Sequence, residues 1–210
     1  VSGALRIERV VTSGVFELDG GSWDVDNNVW VIGDDDEVVV VDAAHDPKPI
    51  VEAVGDRHVT AVVCTHGHND HVTFAPQLGQ DLHVPVLVHP GDDPLWQLTH
   101  PDQRYWHLTD GQRIALVGTE IHVIHAPGHS PGSVCLYLPE ADALFSGDTL
   151  FAGGPGATGR SFSDFPTIIG SIRDRLLTLP DHTRVHTGHG DSTTIRTEAP
   201  HPAEWIARGY

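Results

Sequence analysis

The stretch Thr65-His66-Gly67-His68-Asn69-Asp70-His71 constrains this chain more than any other part of it. Three imidazoles and a carboxylate fall within six residues, directly after the apolar run Val59-Thr60-Ala61-Val62-Val63-Cys64. A run of that length, rich in β-branched residues, reads as a buried strand, and Val72 to Leu78 reads as a short helix, so the motif occupies a strand-to-helix turn. Packed without a partner, these groups would repel or desolvate one another, whereas a divalent cation satisfies them together. His66 and His68, alternating at the strand end, can reach one ion while Asp70 and His71, round the turn, face a second. Solvated surface histidines are the plainer explanation in a chain that has sixteen. Further segments that complete the same set weigh against it.

Around the motif, the pattern is strands first and a helix after, twice over. Leu5 to Val10 and Gly14 to Leu18 read as two short strands separated at Thr12-Ser13-Gly14, with Asp19-Gly20-Gly21 as a hairpin tip. Val29 to Ile32 and Val38 to Asp42 follow, and the unbroken apolar run of the latter implies burial on both faces. Pro47 to Val54 supplies a helix with Ile50, Val51 and Val54 on one face. Val84 to Val88 is a further strand, and Pro90 to Gln112 is irregular. Ile114–Val117 and Ile121–His125 form a hairpin about Gly118-Thr119, continued by Ser133–Leu138 and Ala143–Phe145. The glycine-rich segment Gly153–Gly159 has a phosphate cradle's composition without its Gly-Lys-Ser/Thr ending, and reads as a flexible loop. Ile168, Ile169, Ile172, Leu176 and Leu179 recur at helical spacing behind Asp164 and Pro166, a start signal. Val185-His186-Thr187 is a last strand, and Ala203 to Arg208 a small surface helix. The expected architecture is α/β, a single domain over residues 1–210: two mixed sheets face to face with helices outside, four αββα layers.

The formal charge of −17 repels phosphate backbones and anionic lipid heads, so neither nucleic acid nor a membrane is the expected partner, and a small-molecule substrate is. Cys64 and Cys135, the only cysteines, fall inside expected buried strands, which points to a reducing, cytoplasmic location rather than a disulfide framework. No run reaches membrane-spanning length, and Val1 to Arg6 lacks the apolar core of a secretory signal.

Three later segments place His or Asp beside glycine at a strand end: Pro127-Gly128-His129-Ser130-Pro131-Gly132, Ser146-Gly147-Asp148-Thr149 and Thr187-Gly188-His189-Gly190. Together with the Thr65–His71 motif, these segments make the chain resemble metallo-β-lactamase-fold hydrolases, and most of all their glyoxalase II branch in its short form. The resemblance assigns His66, His68 and His129 to a first metal and Asp70, His71 and His189 to a second, with Asp148 bridging. Asp42 would orient a ligand imidazole through its other ring nitrogen. Two divalent ions are implied, zinc first and iron or manganese as alternatives, since no thiolate ligand is present. A hydroxide spanning the pair would be the nucleophile, with Asp70 and Asp148 as the carboxylates holding the reacting centre.

A thiolate leaving group derives from a thiol with a pKa of about 8.5 and departs without a general acid. An amine would need one, and none is evident. The implied reaction is therefore hydrolysis of a thioester, such as an S-lactoyl or S-formyl conjugate of a small cellular thiol. Alternatives are an iron-dependent persulfide dioxygenase, an RNA-processing nuclease, another ester or lactone hydrolase of this fold, and a metal-binding protein without catalysis. Aspartate at position 148 departs from the lactamases. Only some twenty residues follow His189, with Arg196 and Arg208 their only Lys or Arg, where full-length glyoxalase II carries a basic helical domain that grips glutathione. Substrate contacts are then expected from loops: Trp23, Tyr105, Trp106 and Arg160. His45, His122, His125 and His186 lie near motif segments, and the other histidines are assigned no role.

Overall fold

A computed structural model describes residues 3–209; Val1 and Ser2, at the head of the segment judged too polar for a secretory signal, lie outside them, as does Tyr210. One sheet is built from β1 (Arg6–Leu18), β2 (Gly21–Gly33), β3 (Glu37–Val41), β4 (His58–Val63), β5 (Val86–Val88) and β6 (Trp106–His107), in that spatial order. The first three strands pair antiparallel and the last three run parallel to β3. The second half of the chain contributes β7 (Arg113–Leu116), β8 (Thr119–His125), β9 (Val134–Leu138), β10 (Ala143–Gly147), the small hairpin β11 (Leu150–Phe151) and β12 (Gly154–Pro155), β13 (Arg184–Thr187) and β14 (Thr193–Thr194). Its sheet has the order β14-β13-β10-β9-β8-β7, with β10 and β13 parallel and the other pairs antiparallel.

The valine run of β3 explains the layering. Successive strand side chains point to opposite faces, and Val38 through Val41 are all fully buried. Val38 and Val40 face outward, packing with Val62, Ile50, Val54, Leu78 and Trp96 under the helices α1 (Pro47–Val54), α2 (Asn69–Val72), α3 (Ala75–Leu82) and α4 (Asp93–Thr99). Val39 and Val41 face inward, meeting Ile121, Val123, Leu136 and Phe145 of the other sheet. On the far side Cys135, Leu144 and Val185 pack with Ile168, Ile172 and Leu176 of α5 (Phe165–Ser171) and its π-helical continuation, then with Ile195 of α6 (Ile195–Glu198) and Trp205 of α7 (Pro202–Arg208). The four αββα layers expected from the sequence are thus the fold. The two cysteines pack in different sheet–helix cores, Cys64 on one side of the molecule and Cys135 on the other, both buried and free. No helix among the described residues is long and apolar enough to cross a membrane.

Several local expectations change. Thr12-Ser13-Gly14 does not break the first strand: β1 and β2 form one hairpin in unbroken register from Arg6↔Gly33 to Leu18↔Gly21, in which Thr12, Ser13 and Gly14 pair with Asn27, Asp26 and Val25. Its tip, Asp19 at φ 53° and Gly20 at φ 77°, is the doubly left-handed turn that suits a two-residue hairpin. The helix after the metal motif begins inside it, at Asn69, so Asp70 and His71 ride on a helical turn. Val51 does not join Ile50 and Val54 in the core, being 47% exposed. The stretch from Pro90 is helical through Thr99. Asp164 caps α5 as expected, accepting the Thr167 N–H at 2.9 Å.

Both sheets present their motif loops at one shared edge, and main-chain hydrogen bonds tie that edge together. Val134 N–H donates to Thr65 O at 2.8 Å, Asn28 N–H to Gly188 O at 2.7 Å and Gly188 N–H to Gly147 O at 2.8 Å. Leu136→Ala, in the fully buried layer between the sheets, is expected to destabilise the fold by about 2–5 kcal/mol. Val51→Ala should stay within about 0.5 kcal/mol. Urea unfolding midpoints of the two variants check the contrast.

Candidate metal centre

Four chain segments deliver seven side chains to the shared edge. The turn after β4 and the start of α2 bring His66, His68, Asp70 and His71; the β8–β9 loop brings His129; the end of β10 brings Asp148; the end of β13 brings His189. Their donor atoms form three overlapping groups, His66–His68–His129, His66–His71–Asp148 and Asp70–His71–His189. Within the last, Nε2 of His71 and Nε2 of His189 lie 3.2 Å apart, and Asp70 Oδ2 is 3.5 and 3.3 Å from them. Asp148 stands between the groups, with Oδ1 3.3 Å from His71 Nε2 and Oδ2 3.3 Å from His189 Nε2 and 3.7 Å from His129 Nε2. Close approach at Asp148 requires glycine at position 188, where a Cβ would come within 2.2 Å of Asp148 Oδ1 and 2.8 Å of His71 Cε1.

Hydrogen bonds on the far side of each ring decide which nitrogen faces inward. His71 Nδ1 lies 2.8 Å from the Asp42 carboxylate, His129 Nδ1 is 2.9 Å from Ala157 O, and His189 Nδ1 is 2.7 Å from Asp26 O. These oxygens only accept, so each Nδ1 donates and each neutral Nε2 turns a lone pair toward the cluster. With both rings neutral, lone pairs of His71 and His189 would confront each other across 3.2 Å. His129 Nε2 likewise faces His68 Nδ1 at 3.1 Å. The buried atoms His66 Nε2, His68 Nε2, Asp70 Oδ1 and Asp148 Oδ1 have no hydrogen-bond partner among the described residues. Buried polar atoms without partners are costly. Converging imidazole lone pairs and carboxylate oxygens are the donor set of divalent cations, so the residues fit a pair of metal ions.

The electrostatics differ between the two ends. Burial, reinforced by neighbouring imidazoles, holds His66 well below the usual histidine range and His68 at about 3, so both are neutral and available as ligands. Burial opposes ionisation of Asp70 and Asp148, yet His71 and His189 hold Asp70 at about 2 and Asp148 well below the carboxylate range. Conversely, burial of His71 and partial burial of His189 oppose protonation, but Asp148 and Asp70 raise His71 well above its ordinary value and push His189 up to about 10. The second group therefore favours positive charge.

Two buried carboxylates hold the loops. Asp42, at φ 60°, accepts from Thr65 N–H at 2.7 Å, Thr65 Oγ1 at 2.9 Å and His71 Nδ1. Asp92, fully buried, was hidden in the stretch read as irregular. It accepts from Gly67 N–H, between His66 and His68, at 2.7 Å and from Ser130 Oγ, beside His129, at 2.7 Å, and the Gly132 N–H at 2.5 Å. Asn27 was also missed; its amide lies against Asp70, His71 and His189. Asn69 fastens the motif to β1, donating to Val15 O and accepting from Glu17 N–H.

A cavity of about 190 Å³ opens onto the centre, lined by Phe16, Val25 and Ala157, by Arg160, and by His68, Asp70, His129, Asp148 and His189. Arg160 lies 4.1 Å from the Trp23 ring centroid and 5.3 Å from that of Phe16. Its loop is held to the hairpin tip by Ser161 N–H donating to Asp19 Oδ2 at 2.9 Å. The glycine-rich segment is thus anchored at Ala157 and Ser161 rather than free. Of the expected substrate contacts, the structure brings Arg160 to the cavity and Trp23 to Arg160. It takes Tyr105 and Trp106 elsewhere: pairing of β6 with β5 at the sheet edge directs Tyr105 to Asp93 and Trp96, and leaves Trp106 70% exposed over a separate groove with His83 and Leu87. His122 and His125 do not line the cavity, and His186 lies between Trp30 and Phe145.

The family model of the metallo-beta-lactamase superfamily matches residues 23–189. Probable metallo-hydrolase YqgX of Bacillus subtilis is 31% identical over 186 residues, covering 81% of this chain and 88% of its own length. Hydroxyacylglutathione hydrolase GloC of Haemophilus influenzae is 31% identical over 188 residues, 81% of this chain and 89% of that protein. Among solved structures, TTHA1623 in a di-iron-bound form aligns with a TM-score of 0.74 at 33% identity, covering 83% of this chain and 93% of that one.

With its pKa pushed up to about 10, His189 of the ion-free protein carries a proton at pH 7 that a metal ion must displace. Zinc uptake at pH 7 should therefore release protons, and affinity should weaken steadily as the pH falls below about 10. Indicator-dye titration checks this, and proton-neutral uptake would contradict it. Asp92→Ala should lower affinity for the ion at His66–His68–His129 by roughly 10–100-fold, read by competition with a chromophoric chelator.

Proposed function

The chain belongs to the metallo-beta-lactamase superfamily, and from that premise we propose that it is a dinuclear zinc hydrolase cleaving a thioester of a small cellular thiol, in the manner of the glyoxalase II branch. His66, His68 and His129 would hold one ion, Asp70, His71 and His189 the other, and Asp148 both. Two bound ions would supply Lewis-acid polarisation of a carbonyl and a water acidified toward neutrality. Three neutral imidazoles suit zinc with an open position; the mixed nitrogen and oxygen set, and the di-iron form of a relative, keep iron as the alternative.

One observation carries the choice of substrate class. Every titratable side chain lining the cavity except Arg160 belongs to the metal-ligand groups, so among the described residues no separate acid stands ready to protonate a leaving group. A thiolate needs none, since its parent thiol has a pKa of about 8.5, whereas an amine does. The name of the Haemophilus relative, hydroxyacylglutathione hydrolase, agrees with an acyl thioester. Asp42 keeps His71 in the tautomer that turns Nε2 inward, and Ala157 O does the same for His129. Phe16 and Val25 offer an apolar wall for the carbon skeleton. Arg160, steadied over Trp23 by a cation–π contact, is the Lys or Arg that lines the cavity and would pair with an anionic group of the substrate.

A persulfide dioxygenase with one iron on two His and one Asp would leave much of the seven-residue set without a role. His66→Ala and Asp148→Ala should abolish hydrolysis of S-lactoyl thiol conjugates by metal-loaded protein. Arg160→Ala should raise KM for an anionic thioester roughly tenfold while changing kcat less. A thioester panel on protein of measured metal content, run beside oxygen uptake on a persulfide, separates the two chemistries; oxygen consumption without thioester turnover would reject the hydrolase.

A further inference from the structure

We propose that Asn27 is an additional oxygen donor to the second metal position, and that His45 is the partner that lets its amide turn toward the ion. The inference rests on the dinuclear reading above. Asn27 lies in β2 and is fully buried. Its Nδ2 is 3.0 Å from Asp70 Oδ2, 3.1 Å from His71 Nε2 and 3.4 Å from His189 Nε2. The carboxamide thus faces three ligands of one ion at once. Its other end, Oδ1, is 2.8 Å from His45 Nε2.

A carboxamide has a donor end and an acceptor end of nearly the same shape, and a half-turn exchanges them. With Nδ2 inward, Asn27 donates to Asp70. A cation among Asp70, His71 and His189 opposes those N–H dipoles, whereas the turned amide offers it a carbonyl oxygen, a normal donor to hard and borderline cations. The half-turn needs an outer partner that tolerates either end. Imidazole does, since Nε2 donates in one tautomer and accepts in the other; a guanidinium could only donate and a carboxylate only accept.

Two features of the backbone serve to put an imidazole there. His45 adopts φ 53°, in the left-handed region that side-chain-bearing residues enter only at an energetic cost. Across from it, Gly14 makes room for the ring: a Cβ there would lie 2.1 Å from His45 Nδ1 and 2.4 Å from Cγ. Strain at one residue and a missing side chain at the other both support a ring that hydrogen-bonds the Asn27 amide.

Zinc titration of chelator-stripped protein by calorimetry is expected to resolve two ions in the wild type. Asn27→Leu, which keeps bulk and removes both polar ends, should weaken the second ion by roughly 10–100-fold and leave the first unchanged, the first serving as the control for folding. Asn27→Asp, with an oxygen facing inward either way, should hold the second ion at least as tightly as wild type. His45→Phe should weaken the second ion in the same direction, and His45→Gln, which donates or accepts, should restore it. Wild-type affinity in Asn27→Leu, or loss of the second ion in Asn27→Asp, overturns the donor; wild-type affinity in His45→Phe overturns the partner. A wild-type chain that takes up fewer than two ions removes the dinuclear centre itself, which tells that failure apart from this one.

Discussion

The structure depends on a concentration of electron-rich atoms that hydrogen bonds from the described residues, such as that of Asn27 to Asp70, satisfy only in part. Imidazole nitrogens at 3.1 and 3.2 Å from one another, with Asp70 and Asp148 beside them, would repel strongly in a buried setting. Such an arrangement persists only where a cation is to be held and the surroundings over-determine the geometry. The two-sheet core supplies that rigidity, its inward faces closing over Val39, Val41, Leu136 and Phe145 directly behind the ligand loops.

The loops are pinned in a common manner. Asp42 and Asp92 are buried carboxylates, each gathering three donors, and each joins parts of the centre that lie apart in sequence. Asp42 secures His71 and the strand end before His66. Asp92 bolts the His66–His68 turn to the His129 loop. Carboxylates accept several hydrogen bonds at once, which makes them efficient at ordering irregular backbone without adding further secondary structure. On the open side the β1–β2 hairpin does the complementary work, bringing Phe16 and, through Trp23 and Asp19, the Arg160 loop over the cavity.

Much of the centre was legible in sequence because its ligands sit in dense local motifs, each at a strand end marked by glycine. The strands themselves were legible because a run such as Val38–Val41 has one economical fate. Asp92 and Asn27 were not legible. Asp92 falls among prolines and aromatics with no periodicity, and a lone aspartate there has no local mark distinguishing a solvated carboxylate from a buried one. Asn27 lies in a hairpin strand whose neighbours alternate like any other, and its importance comes from residues 43, 44 and 162 positions away. Tyr105 and Trp106 show the reverse error: aromatics in an irregular stretch look like substrate contacts until strand pairing carries them to the sheet edge.

By itself the sequence determined the layer pattern and which His and Asp side chains are candidates to hold metal, since strand alternation and the donor chemistry of His and Asp are local properties. Only the tertiary structure decided which ring nitrogen each histidine turns inward, which carboxylates hold the loops, and that Arg160 rather than Tyr105 reaches the cavity. Those outcomes depend on hydrogen bonds and packing between segments distant in the chain, and no local pattern encodes the partner.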